Sequence, residues 1–100
     1  MRIISFRKIR EFYEEHPDSK TALKGWHLAV KKADWKNFAD VRRTFGSADV
    51  YKDCVIFDIG GNKYRLIAWI NYRNHAVYVR AILTHSDYGK SKWKADCGSG

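Results

Sequence analysis

The sequence predicts an α+β domain in which N-terminal helices pack on one face of a small, mainly antiparallel sheet. Apolar residues recur at helical spacing up to Gly46, and the period changes to two from Cys54 onward. The strand-like runs of the second half are joined by short connectors of turn residues, which favours hairpins over crossovers. Helices first and strands after is the α+β order rather than the alternating α/β one.

Arg2 to Ser5 reads as a short first strand. Phe6, Ile9 and Tyr13, with Phe12 beside them, form the stripe of a first helix that Ser5 would cap and His16-Pro17 would stop. Asp18 can cap a second helix with the stripe Leu23, Trp26, Val30 and Ala33 and a basic face of Lys20, Lys24, Lys31 and Lys32. A shorter helical piece carries Phe38, Val41 and Phe45, with Gly46 as its stop. Three strands follow at Cys54 to Ile59, Tyr64 to Tyr72 and Ala76 to Thr84, all rich in β-branched and aromatic residues.

Pairing Ile59 with Tyr64 and Asn71 with Ala76 sorts the side chains by type. One face then holds Val55, Phe57 and Ile59, then Tyr64, Leu66, Ala68 and Ile70, then Val77, Val79, Ala81 and Leu83, and is where helices must pack. The other face holds Asp58, Arg65, Ile67, Trp69, Asn71, Tyr78, Arg80, Ile82 and Thr84. A slip of one residue would mix the two sets.

One hundred residues with 45% hydrophobic content suit one core, expected over residues 1–95 with a loose tail at 96–100. The longest apolar run, Leu66 to Ile70, is far short of the roughly 18 residues a membrane span needs. Charges follow Met1 to Phe6 at once, so no secretion signal is expected there, and a cytoplasmic protein is. Cys54 and Cys97 belong to no metal-ligand spacing and are too few for a disulfide scaffold, so two reduced thiols are expected, one packed in the sheet. No phosphate loop, HExxH, EF-hand or GxSxG pattern is present, so neither a metal nor a cofactor is expected.

Nineteen Lys and Arg against eleven Asp and Glu leave a net charge of +8, which suits a polyanion. RNA, DNA and an acidic protein all fit, as does a merely soluble basic protein. On the mixed face, Arg65 and Arg80 beside Trp69 and Tyr78 suit phosphates and stacked bases. Arg65 also lies opposite Asp58, and a cross-strand ion pair would explain it without a ligand. Trp69 and Tyr78 read first as ordinary sheet residues under a covering element, with base stacking as the second reading.

After the last strand comes Thr84-His85-Ser86-Asp87-Tyr88, with Lys90, Lys92 and Trp93 beyond it. An imidazole of ordinary pKa about 6.5 can move protons near neutrality. RNA cleavage without a metal needs help for the attacking 2′-hydroxyl, a proton for the leaving 5′-oxygen, and cations for the extra charge. His85 and Tyr88 fit the proton steps, and Arg65, Arg80 and a lysine fit the charge. A loop histidine is also an ordinary surface residue. His16, His27 and His75 sit at a helix end, in a helix and in a turn, and are assigned no chemistry.

The pattern Gly60-Gly61-Asn62-x-x-Arg65, an arginine in the next strand and Thr84-His85-x-x-Tyr88 resembles the HigB family of bacterial toxins, and the similarity runs from about Met1 to Trp93. The resemblance implies a RelE-like fold, cleavage of mRNA in the ribosomal A site with ribosomal RNA contacts, and a HigA-like helix-turn-helix antitoxin through which alone DNA is met. Arg65 matches the strand arginine of the RelE-like group, His85 and Tyr88 match its C-terminal active region, and Asn62 and Arg80 match the HigB pattern without an assigned role. Taken with the reading of the outer face, Arg65, His85, Tyr88 and Arg80 are the catalytic candidates, and Asn62, Lys63, Lys90, Lys92, Trp69 and Tyr78 the substrate contacts. Lysines that RelE toxins carry on the strand before this hairpin are absent, since that strand reads Val55-Ile56-Phe57-Asp58. The competing reading is a non-catalytic basic module that binds RNA or DNA.

Overall fold

A computed structural model of the chain describes residues 1–98. Strand β1 (Arg2–Ile4) leads into α1 (Phe6–Glu15), a 3-10 turn (Pro17–Ser19), α2 (Lys20–Lys32) and α3 (Phe38–Thr44). Strands β2 (Asp49–Tyr51), β3 (Cys54–Ile59), β4 (Tyr64–Asn71) and β5 (Ala76–Thr84) follow, then α4 (His85–Gly89) and a terminal 3-10 helix (Lys92–Asp96). The described strands form one mixed sheet in the order β1-β5-β4-β3-β2, with β1 parallel to β5 and every other pair antiparallel. No helix among the described residues is long and apolar enough to cross a membrane.

The helices cover one face. Ile9, Leu23, Trp26, Val30 and Val41 bury against Phe57, Leu66, Ala68 and Val77 of the strands. Trp26, Trp35, Phe45 and Phe57 form an aromatic cluster at its centre, with Trp26 and Phe45 edge-on to the Phe57 ring, each at 5.3 Å, and Trp35 stacked near it. Large rings at these separations gain quadrupole attraction on top of their buried area.

Both predicted hairpin pairings hold, Ile59 with Tyr64 and Asn71 with Ala76. The alternation of β5 does not hold along its whole length. Ala68 faces Val79 while Ile67 faces Ala81, so Arg80 is an extra residue, a β-bulge. The bulge turns the rest of β5 over. Ile82 therefore packs with the helices, and Ala81 and Leu83 go to the opposite face, the reverse of the sequence expectation. Lys8 of α1 donates to the Arg80 carbonyl at 2.9 Å.

The local signals fared unevenly. Strand β2 is an addition, a short edge strand joined to β3 through Lys52 at φ 52°. Ser5 does not cap α1, because its own backbone is left-handed and its side chain bonds nothing at the helix end. Asp18 sits in the 3-10 turn rather than capping α2, and its carboxylate is spent elsewhere.

The larger correction concerns the outer face, expected to be open. Cys54, Ile56 and Ile67 form a second apolar cluster there, roofed by Trp93 and Cys97. Cys54 and Cys97 are not free thiols: they are joined in a disulfide, with Cα atoms 5.6 Å apart. The tail expected to be loose from residue 96 is folded as far as it is described. Asp96 ends the 3-10 helix, Cys97 is buried, and the Gly98 amide donates to Asp53 at 2.6 Å. Residues 99 and 100 lie outside the described residues.

Candidate active site

The β3–β4 hairpin turns through Gly60 and Gly61 at φ 62° and 68°, a left-handed pair that residues with a Cβ adopt at a cost. The turn delivers Asn62 and Lys63 just before β4. Arg65, the second residue of that strand, folds back onto the turn. Its Nη1 donates to the carbonyls of Asn62 and Tyr64, both at 3.2 Å, and its Nη2 donates to the Asn62 side chain. Nε pairs with Asp58 at 3.0 Å, so the cross-strand ion pair anticipated from register is present.

The T-H-x-x-Y segment is a capped turn of helix. The Thr84 hydroxyl accepts from the Asp87 amide at 3.1 Å, the N-cap bond that starts α4. His85 and Tyr88 follow at i and i+3 and so share one side of that turn. The His85 amide donates to the Lys63 carbonyl at 3.1 Å, tying α4 to the hairpin. The Arg65 guanidinium lies 5.1 Å from the Tyr88 ring centre, in cation–π contact. Asn62, Lys63, Arg65, His85 and Tyr88 are thus gathered at one end of the sheet.

The other candidates are not in that group. Arg80, displaced by the bulge, donates to the Asp96 carbonyl at 2.6 Å and pairs with Asp53 at 3.9 Å, so its partners hold down the terminal segment. Trp69 and Tyr78 form a cross-strand ring pair 5.1 Å apart, beside Cys54 and toward the opposite end of the sheet. Lys90 and Lys92 are exposed and border a groove of about 340 Å³ floored by Ala81, Leu83 and Trp93, with Asp87 and Asp96 on its rim. Asp53, Cys54 and Cys97 have ligand atoms within 4.8 Å of one another, but the two sulfurs are bonded to each other.

Two contributors were not read from the sequence as parts of this site. Trp93 stacks on Tyr88 at 5.1 Å with the rings 9° from parallel, and its indole N–H donates to the Tyr88 carbonyl at 3.0 Å. Asp18, 45 residues from the hairpin, accepts from the Tyr64 hydroxyl at 2.7 Å and from Lys63 at 3.0 Å. It pins the turn from the helix side.

The Tyr64 hydrogen bond, then that of Lys63, holds the Asp18 carboxyl below its ordinary 3.8. The same bond to Asp18, then burial, pushes the Tyr64 phenol above its ordinary 10.0. A lowered carboxyl stabilises the fold above 3.8 and loses that contribution as pH falls through its folded value. A raised phenol stabilises below 10.0 and loses its contribution as pH rises through its own. Asp18→Asn is therefore expected to lower the melting temperature at neutral pH and to flatten its fall toward acid. Thermal scans across the acid range check this, and a variant as acid-sensitive as the wild type would show that the clamp is idle.

Comparison with known proteins meets this geometry. A model of the HigB toxin family, described as the RelE-like toxic component of a toxin-antitoxin system, matches residues 19–91. The chain is 31% identical over 93 residues to the mRNA interferase HigB of Escherichia coli O6:H1, covering 90% of each chain. It is 26% identical over 91 residues to the mRNA interferase toxin HigB of Escherichia coli K12, covering 88% of each. A helical layer on a five-stranded mixed sheet fits the RelE-like description, and the chain belongs to the HigB toxin family, the RelE-like toxic components of toxin–antitoxin systems.

Proposed function

We propose that this toxin is an endoribonuclease that cuts mRNA in the ribosomal A site, by acid–base catalysis without a metal. The observation that carries the reading is the gathering of Arg65, Asn62, His85 and Tyr88 at the hairpin end of the sheet in a chain of net charge +8. The names of the relatives, mRNA interferases, supply the substrate class.

In the proposed reaction the 2′-oxygen attacks the adjacent phosphorus, forming an O–P bond and giving up its proton, while the P–O5′ bond breaks and the 5′-oxygen takes a proton. His85 and Tyr88 carry the two proton transfers between them. Arg65 meets the charge that builds on the phosphoryl oxygens, turning from Asp58 and Asn62 toward the phosphate. Lys63, Lys90 and Lys92 hold the strand through its backbone. Arg80 holds the terminal segment through Asp96 and Asp53, while Trp69 and Tyr78 serve the substrate at a distance from the chemistry, along the path of the RNA. Lys20, Lys24, Lys31 and Lys32 of α2 are exposed and face ribosomal RNA phosphates.

As the toxic half of a toxin–antitoxin system the chain has an antitoxin partner. That partner is of the HigA type, with a helix-turn-helix domain, and the toxin meets DNA only in its company, in the cytoplasm.

Primer extension on translated mRNA tests the proposal. New 5′ ends inside codons are expected with the wild type, together with arrested growth. Arg65→Ala is expected to reduce both by about 10²–10³-fold, the cost of losing one oriented donor to developing charge. Salt-sensitive RNA binding without new ends would leave a non-catalytic binding module instead.

A further inference from the structure

We infer that Cys54 and Cys97 are a thiol–disulfide exchange site, and that their oxidised form latches the end of the chain over the sheet and withholds Arg65 from RNA. The inference rests on the nuclease reading above, which makes Arg65 part of the chemistry.

The disulfide joins residues 43 apart in sequence, both buried. It is the first link in a continuous run of contacts. The Cys97 sulfur lies 3.7 Å from the Trp93 carbonyl, Trp93 stacks on Tyr88, and Tyr88 lies against the Arg65 guanidinium. Asp58, Asn62 and Tyr88 together leave the Arg65 side chain 11% exposed, too little for a planar cation to grip a phosphate through two donors. Engaging RNA requires Arg65 to leave part of this nest, and one wall of the nest is Tyr88, braced by Trp93. A covalent bond at the far end of the run raises the cost of that movement.

The chain holds two cysteines and they are this pair. Disulfides that form in a reducing compartment are typically transient, and serve sensing more than scaffolding.

The exchange balances with a low-molecular-weight disulfide such as glutathione disulfide. One cysteine thiolate attacks a sulfur of the small disulfide, forming a mixed disulfide and releasing one small thiolate. The second cysteine thiolate attacks the protein sulfur of that mixed disulfide, closing Cys54–Cys97 and releasing the other. Two electrons pass to the small molecule, and the two protons lost by the cysteines go to the released thiolates. Excess small thiol reverses each step.

The test compares purified toxin treated with glutathione disulfide against toxin treated with a phosphine reductant, each then freed of reagent. Alkylation and mass measurement count the thiols, with none tagged in the oxidised form and both tagged in the reduced one. On purified ribosomes carrying mRNA, without added thiol, the reduced form is expected to cleave about tenfold faster, within the usual range of a coupling between sites. The Cys54→Ser/Cys97→Ser double variant is expected to cleave at the reduced rate after either treatment. Cys97→Ser alone serves if the double variant does not fold. Equal rates in two forms with verified thiol counts, or a faster oxidised form, would overturn the latch. If neither form cleaves, the nuclease reading fails and the latch is judged by hydrogen exchange. Amides of residues 88–97 must then exchange faster on reduction, and unchanged exchange rejects it.

Discussion

Replacing His85 by alanine is expected to slow mRNA cleavage by about 10²–10⁴-fold, the usual worth of a positioned proton-transfer group. The side chain is exposed at the first turn of α4, and what fixes that turn is backbone and cap: the His85 amide on Lys63 and the Thr84 hydroxyl on the Asp87 amide. Alanine leaves those bonds in place. Stability should move by no more than about 0.5 kcal/mol, as for surface changes that break no special feature. Single-turnover cleavage on ribosomes, beside a thermal melt, separates chemistry from folding. Full cleavage by a folded His85→Ala protein would remove the imidazole from the mechanism and leave Tyr88 to act without it.

Trp93→Ala is expected to bring the largest loss of stability on the outer face, about 3–5 kcal/mol. The indole roofs Cys54, Ile56 and Ile67, stacks on Tyr88 and meets the Tyr51 ring edge-on at 5.6 Å. Removing it opens apolar sheet to water and strips Tyr88 of its support. The domain should melt lower by about 4–8 °C for each kcal/mol lost. Trp93→Phe keeps a ring in place but loses the indole N–H bond to the Tyr88 carbonyl, and should fall between wild type and Trp93→Ala. A melt of Trp93→Ala indistinguishable from wild type would mean that the terminal 3-10 helix rests on the sheet without supporting it.

The parts of the fold that were legible are those whose signals are local. Gly60-Gly61-Asn62-Lys63, with Asp58 set opposite Arg65 and Val55, Phe57 and Ile59 on one face, fixed the register of β3 with β4. Likewise, Leu23, Trp26 and Val30 repeat at helical spacing and bury as α2 requires. The bulge at Arg80 was hidden because Val79, Ala81, Ile82 and Leu83 surround it with apolar residues on both faces, leaving no alternation to break.

Part of the site was legible for the same local reason. T-H-x-x-Y is one turn of helix and GGN-x-x-R is one hairpin, so each motif carries its geometry within a few residues. The terminal segment was misjudged because Lys90, Lys92 and Lys94 give it a polar composition around Trp93 and Cys97. A clue did exist: Ile67 stood on a face taken to be wet, and an isoleucine there asks for cover. Asp18 had no clue at all. Its partners are 45 and 46 residues away, and nothing near it in the chain announces them.

The parallel pairing of β1 with β5 bears on how this molecule is born. β5 stands between β1 and β4, so the earliest strand synthesised is completed by one of the last. Such distant pairing must wait for chain closure, and it is slow compared with helix formation. An emerging polypeptide can build α1 and α2 early, yet it holds no finished sheet, and no His85 beside Lys63, until β5 and α4 have cleared the exit tunnel. Topology thereby makes the candidate site a late arrival, completed only when β5 and α4 join segments made long before them.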